Sequence, residues 1–390
     1  MKDILAMSRS VLEETVQLRR KLHQFPELSG EEHQTLAFLR SYLDGLSIPY
    51  ETCSNGGICA KIGRGDRAVG LRADVDALPI QEQTGLPYAS QNPGVMHACG
   101  HDVHTAVLLG VAKLLKSMED ELPGMVKLFF QPAEETVGGA KTMVEEGCMT
   151  HPPVDAVLAL HVDPTLPVGT ASFLPGKMNA AVIELDITVR GKSCHGAHPE
   201  MGVDAIVTAA QIVTALQTIP SRFTAPTTPV VVTIGSIHGG TGRNIVAGEV
   251  QLTGTVRVLD NETGDAVKRL IRQIAQNTAA AFGAEADVSL TDDYPALIND
   301  SALTHQMAGL ARQLLGEKSV VLCDTPSMGA DDFAYFSGAA RGCYFNIGTL
   351  GAGQEGQSLH SEFFAPDEGC ILTGLTLLTA GVLSQLEGKP

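Results

Sequence analysis

Residues 102–135 read DVHTAVLLGVAKLLKSM EDELPG MVKLFFQPAEE, and the change of rhythm inside them decides the fold. Helical spacing over residues 102–118 gives way to a compact apolar run, Met125–Gln131, that reads as a strand. The alternation continues outward in both directions. Residues 8–46 are helical, 57–62 and 68–72 strand-like, 139–146 helical and 154–161 strand-like. Strands alternating with helices imply an open α/β sheet with helices on both faces.

Near Lys177 the character changes. Ala181–Arg190 (AVIELDITVR) alternates polar and apolar residues, as a half-exposed strand does. A helix is expected over 203–218, strands over 230–238 and 249–258, a helix over 263–282 and a strand over 286–290. That β-α-β-β-α-β order is the split unit of ferredoxin-like domains. From Tyr294 the first rhythm resumes, with a strand at 342–348 and a closing amphipathic helix from about Asp367. The expected fold is therefore α/β: an open, mostly parallel-stranded sheet flanked by helices, with an inserted ferredoxin-like α+β domain. Its boundaries are 1–178, 179–292 and 293–390, the outer two segments forming one domain. Alternation in Ala181–Arg190 also suggests an exposed pairing edge.

The 390 residues suffice for two or three domains at roughly 150 residues each. With 44% hydrophobic and 18% charged residues, the composition is that of a globular chain able to bury a large core. A net charge of −17 repels phosphate backbones and anionic lipid, so nucleic acid is not an expected partner. No apolar stretch reaches the ~20 residues a bilayer-spanning helix needs, and no membrane partner is expected. The N-terminal residues mix charge into an amphipathic pattern unlike a secretory signal, and the eight scattered cysteines include no C-x-x-C pair. A cytoplasmic location with free thiols is the expectation.

In open α/β sheets ligands gather at the carboxyl ends of the strands. Here those ends carry Asp74 and Asp76, Glu134 and Glu135, and His161. Cys99-Gly100-His101 opens a helix, and His360 follows the last strand. Cysteine, histidine and carboxylate are the donors for zinc, manganese, cobalt or nickel. A Gly100 turn lets Cys99 and His101 face one point. At a strand-to-loop turn, one of Glu134 and Glu135 can ligate while the other takes a proton from water, the division metal-assisted hydrolysis needs.

Residues 96–106 (MHACGHDVHTA), 131–135 (QPAEE), 72–79 (RADVDALP) and 332–335 (DFAY) together resemble the N-acyl-amino-acid amidohydrolases. Hippurate hydrolases, N-acetyl-diaminopimelate deacetylases and auxin-conjugate hydrolases belong to this group, within the aminoacylase and carboxypeptidase metallohydrolase superfamily. The resemblance implies two divalent metal ions per chain, bound by Cys99, His101, Glu135, His161 and His360, with the Cys99 thiolate bridging them. Glu134 would be the general base acting on metal-activated water. Arg72 stands where the wider superfamily has a ligating histidine. Asp74 would orient a ligand, or form a salt bridge with Arg72. His97 and His104 are expected in packing or hydrogen bonding around the ligands.

The inserted domain would be a lid that also mediates a homodimer. Within it, residues 191–199 (GKSCHGAHP) resemble the segment whose histidine reaches the substrate. His195 is the matching position, donating a hydrogen bond to the scissile carbonyl, with His198 as a rival. Asn244 and Arg257 would hold the substrate's α-carboxylate, Arg243 being the alternative cation. A Cys194–His195 nucleophile pair is disfavoured because no third orienting group is visible. The implied activity is hydrolysis of a small N-acyl-amino acid to a free amino acid and a carboxylic acid. Two alternatives stand beside it: a dipeptidase or carboxypeptidase acting on unblocked peptides, and a catalytically silent metal-containing binding protein.

Overall fold

The computed structural model describes residues 3–136, 138–353 and 355–388. The chain forms two compact units, one of Met1–Gly176, Ile298–Thr325 and Asp331–Pro390, the other of Lys177–Leu297 and Pro326–Ala330. Residues 326–330, expected with the larger domain, instead pair with the second unit, where Ser327 N donates to Met178 O at 2.9 Å and Ala180 N to Gly329 O at 2.8 Å.

The first unit is built on an eight-stranded mixed sheet, in spatial order Tyr50–Thr52, Ile58–Ile62, Met125–Gln131, Ala68–Asp74, Val154–Pro167, Arg341–Leu350, Ala171–Phe173 and Val320–Leu322. The four central strands from Met125–Gln131 to Arg341–Leu350 run parallel. Ala68–Asp74 is buried at every position, as a strand covered on both faces must be. Successive side chains of a strand point to opposite faces. Accordingly Phe129 stacks on Phe336 of the helix Phe333–Ala339, ring centroids 5.1 Å apart. Phe130 joins the apolar core with Val107 and Leu108 of the helix His101–Ser117.

After Ala68–Asp74 the chain crosses through His101–Ser117 to Met125–Gln131 on one side, then to Val154–Pro167 on the other. The carboxyl end of Ala68–Asp74 is thus a topological switch point, where open α/β sheets form their crevice. Three-residue strands at Tyr50–Thr52, Ala171–Phe173 and Val320–Leu322, and the helix Ser301–Leu315, have no counterpart in the sequence expectations. Strands that short offer too few residues for a period to register.

The closing helix, expected to be amphipathic, is Cys370–Glu387. Length and composition would let it cross a membrane, but it is mostly buried among the helices Ile4–Gln24 and His101–Ser117 and the sheet. A helix that is apolar all round belongs in a core.

The second unit has a four-stranded antiparallel sheet in the order Val230–Gly239, Glu249–Val258, Ala181–Arg190, Glu285–Asp292, with the helices Ala205–Leu216 and Asn261–Ala281 packed against it. Numbered along the chain, that order is 4-1-3-2 read from Glu285–Asp292, two interlocked split β-α-β units. Ala181–Arg190 is not a pairing edge. It is hydrogen-bonded along its length on both sides, to Glu249–Val258 and to Glu285–Asp292. Its polar alternation reports one exposed face rather than an exposed side, a distinction periodicity cannot draw. The sheet's edges are Val230–Gly239 and Glu285–Asp292.

Candidate metal centre

Gly100 precedes the helix His101–Ser117 with φ 87°. A Cβ there would lie 2.5 Å from Val162 Cγ2, so only glycine fits both the dihedral and the contact. The turn leaves Cys99 and His101 facing one region. Cys99 Sγ is 3.5 Å from His161 Nε2. His161 Nδ1 bonds Val162 O at 2.7 Å, which leaves Nε2 as the nitrogen facing the thiol. Burial, reinforced by neighbouring His104, holds His161 down to about 4, so its imidazole is neutral and fit to ligate at neutral pH.

His101 Nδ1 lies 3.0 Å from Asp76 O and 3.1 Å from Asp76 Oδ1, which turns its Nε2 toward Glu135 Oε1, 3.8 Å away. His360 reaches the same carboxylate. It has φ 62°, its N–H donates to Ala98 O at 2.9 Å, and its Nε2 lies 3.3 Å from Glu135 Oε1. Glu135 Oε1 is fully enclosed yet has hydrogen-bond geometry to neither imidazole.

Of the five clusters of potential donors among the described residues, two share the Cys99 sulfur. Cys99, His101 and His161 form one, and Cys99, Glu135 and His360 the other, each with its ligand atoms within 4.8 Å of one another. The residues fit two divalent ions. The donors are the right kinds, one enclosed carboxylate oxygen faces two imidazole nitrogens at 3.3 and 3.8 Å, and one sulfur lies between the sets. Burial pushes the Cys99 thiol up, against the pull of His101. A cation at Sγ would reverse that and hold the thiolate.

Glu134 is buried beside these sets, its carboxyl oxygens close to those of Asp331 and Asp332. Burial first, then the charges of Asp331, Asp332 and Glu135, push it well above the usual carboxylate range. A cation held by the neighbouring sets would draw it back down, leaving a carboxylate able to take a proton from water.

Arg72 is fully buried. It donates to Asp74 Oδ2 at 2.7 Å, Gln131 Oε1 at 2.7 Å and Asp332 Oδ1 at 2.8 Å, and lies 3.2 Å from Asp331 Oδ1. Asp74 therefore forms the salt bridge with Arg72. Its other oxygen bonds His104 Nδ1 at 2.7 Å, while His104 Nε2 accepts Val162 N–H at 3.0 Å. With both nitrogens engaged, His104 is no ligand. Asp74 Oδ1 stands 3.9 Å from His101 Nδ1, and the carboxylate that orients His101 is that of Asp76. The i, i+2 spacing of Asp74 and Asp76 was visible, but which of them meets the imidazole depends on how the loop turns after the strand.

In the second unit, His195 is exposed and paired with Ile245 in a two-residue ladder, and Gly196 N–H donates to Asn244 O at 2.7 Å. His195 and Asn244 are thereby neighbours. Arg257 is not with them. It pairs with Val182 and Val231 at the far end of Glu249–Val258. The ladder is anchored at the other end of that strand, where Gly191 N–H donates to Gly248 O. Eight residues of strand, roughly 26 Å at 3.3 Å each, separate the two ends. His198 is exposed, 3.6 Å from Glu200, and the Cys194 thiol bonds His198 O, so no Cys194–His195 couple forms.

The family model described as peptidase family M20/M25/M40 matches residues 70–383. The chain is 41% identical over 359 residues to the N-acetyl-L-cysteine deacetylase of Bacillus subtilis, covering 91% of this chain and 84% of that protein. It is 37% identical over 382 residues to the N-acetyldiaminopimelate deacetylase of Enterococcus faecalis, covering 96% and 98%. Among solved structures, a Bacillus subtilis protein described as a dinuclear metal binding peptidase of the M20 family superposes with a TM-score of 0.85 at 32% identity, covering 97% of this chain and 99% of that one. Family match, near full-length relatives and a cluster of metal-donor side chains at the sheet's switch point agree: the chain belongs to peptidase family M20/M25/M40 and is a metal-dependent amide hydrolase.

Proposed function

We propose that this enzyme hydrolyses N-acyl-amino acids, N-acetyl or N-benzoyl among them, to a free amino acid and a carboxylic acid. The observation that carries the reading is the pair of donor sets sharing Cys99, with the buried carboxyl of Glu134 beside them. The deacetylases among its relatives supply the substrate class. Two divalent ions, zinc, manganese, cobalt or nickel, would be held by Cys99, His101, Glu135, His161 and His360; when bound they would acidify a water and polarise the acyl carbonyl.

The chain's own residues do the rest. Glu134 takes the proton of the attacking water and delivers it to the leaving nitrogen. Asp76 holds His101 in the orientation that presents Nε2. Asp74 fixes His104, and through it the backbone at Val162 beside His161. The second unit, read as a ferredoxin-like lid, supplies His195 to the carbonyl oxygen and Asn244 and Arg257 to the substrate. Since one lid holds His195 and Asn244 far from Arg257, a homodimer in which each copy lends one end favours their joint use. Exposed Ile206 and Val207 on the uncharged helix Ala205–Leu216, and Ile237 on an edge strand, support association through this unit. Eight free thiols suit a cytoplasmic setting.

The test is amino-acid release from a panel of N-acetyl, N-benzoyl and N-indoleacetyl amino acids and free dipeptides, using enzyme stripped and reloaded with each of the four metals. Release from blocked substrates, abolished in Glu134→Ala, is expected. A second reading, a peptidase acting on free N-termini, draws support from the description of the solved relative. It would replace the first if only unblocked dipeptides were cleaved. Metal binding without turnover of either class would point to a silent binding protein.

A further inference from the structure

The turn that carries Glu134 and Glu135 is gripped from a distant part of the chain. Ala133 has φ 57°, a left-handed conformation that a non-glycine residue keeps only when its surroundings impose it. Its N–H donates to Glu32 Oε1 at 2.7 Å, across 101 residues of sequence. Glu32 is only 2% exposed. A carboxylate taking a backbone N–H makes a strong, charge-assisted bond, and burying one demands such partners.

The ordinary role for an acidic residue at this position would be to cap its own helix. Glu32 immediately precedes His33–Gly45 but makes no side-chain cap bond to it. That task falls to Glu27, which accepts from Gln34 N at 3.1 Å and Thr35 N at 2.7 Å. The Glu32 carboxylate takes the Ala133 N–H instead, alongside backbone N–H groups of its own segment at Gly30 and Glu32.

The rest of residues 27–32 converges on the same place. Ser29 Oγ donates to Asp76 Oδ2 at 2.5 Å, and that oxygen also accepts Glu135 N–H at 2.9 Å. Ala77 N–H donates to Glu27 O at 2.8 Å. Beyond the turn, Gly139 N–H returns to Ala133 O at 3.1 Å. The backbone is held on both sides of Ala133, and Glu32 is the side chain that holds Ala133 itself.

We propose that Glu32 is a positioning residue of the hydrolytic site. Its carboxylate keeps Ala133 left-handed, and that bend directs Glu134 and Glu135 to their separate tasks. The inference rests on reading Glu134 as the base and Glu135 as a ligand.

The experiment compares wild type, Glu32→Ala, Glu32→Gln and Glu134→Ala for kcat and KM on the best substrate of the panel, for thermal midpoint, and for cobalt(II) affinity by titration of the visible absorption bands. Misplacing the turn by ~1 Å should lower kcat of Glu32→Ala by about 100-fold with KM within about threefold. Cobalt affinity should fall by about tenfold, as when other outer partners of a metal site are removed. Glu32→Gln keeps an acceptor oxygen and should recover kcat to within about fivefold of wild type, since the amide still accepts the same N–H. Wild-type kcat and cobalt affinity in folded Glu32→Ala would overturn the proposal, as would a loss no larger than the fraction unfolded. So would Glu32→Gln as impaired as Glu32→Ala. If Glu32→Ala does not accumulate folded, Glu32→Asp, which withdraws the oxygen by one methylene, takes its place with the same expectations. An active Glu134→Ala would sink the reading of the base; an inactive Glu134→Ala with an unaffected Glu32→Ala would sink this inference alone.

Discussion

Arg72 cannot ligate a cation, and its buried guanidinium serves as the counter-charge for Asp74, Asp331 and Asp332. Desolvation alone would weaken its charge, but the three carboxylates raise it well above the usual range. Removing one side of such a cluster leaves the other buried and uncompensated. Arg72→Met should therefore lose about 3–5 kcal/mol of stability, measured by urea unfolding. Asp76 offers a test of a different kind. As the carboxylate on His101 Nδ1, Asp76→Asn should weaken metal binding by about 10–100-fold in a calorimetric titration while the fold persists. Unchanged affinity would mean that the backbone carbonyl of Asp76, also in reach of Nδ1, orients the ring by itself.

At the scale of elements, the helix Asn261–Ala281 depends on Asp260. Asp260 Oδ1 accepts Thr263 N–H at 2.7 Å, and Oδ2 accepts Lys177 Nζ at 2.8 Å. Although burial pushes in the opposite direction, these bonds bring its carboxyl down to about 2. Its folded value thus lies below the unfolded one, so its contribution is full above about pH 4 and is lost as pH falls toward 2. Asp260→Ala should cost about 1 kcal/mol at neutral pH, the usual worth of a side-chain cap. Between pH 4 and 2 the variant should lose stability less steeply than wild type in urea titrations. Parallel curves across that interval would show the cap to be already protonated or solvated.

For the whole molecule, the first unit is held by three helices that meet without side-chain clearance. A Cβ on Gly110 would stand 2.6 Å from both Leu375 Cδ2 and Thr15 Oγ1, where His101–Ser117 meets Cys370–Glu387 and Ile4–Gln24. Gly110→Val should destabilise by about 1–3 kcal/mol through overpacking, read as a lower urea midpoint. Leu378→Ala, in the fully buried part of Cys370–Glu387, should cost about 2–5 kcal/mol. The two changes act on one shared core, so their double variant should depart from additivity.

By itself the sequence determined the elements with a strong period and the donor chemistry of the candidate site. Met125–Gln131, Ala181–Arg190 and Glu249–Val258 have the bounds their patterns imply, because period and length are local properties. Cys99, His101, Glu134, Glu135, His161 and His360 were legible as candidates because they follow strands or open a helix, and strand ends converge in an open α/β sheet. Tertiary structure decided what local pattern cannot carry. Ala181–Arg190 became a central strand because its neighbours come from residues about 60 to 100 positions away. Asp76 rather than Asp74 met His101 because a loop turns after the strand. Glu32 reached Ala133 because two segments 101 residues apart fold against one turn. Arg257 stands apart from Asn244 because a ten-residue strand keeps its ends apart. Periodicity tells which face of an element a residue lies on; hydrogen bonds between distant segments choose its neighbours, and those exist only once the chain has folded.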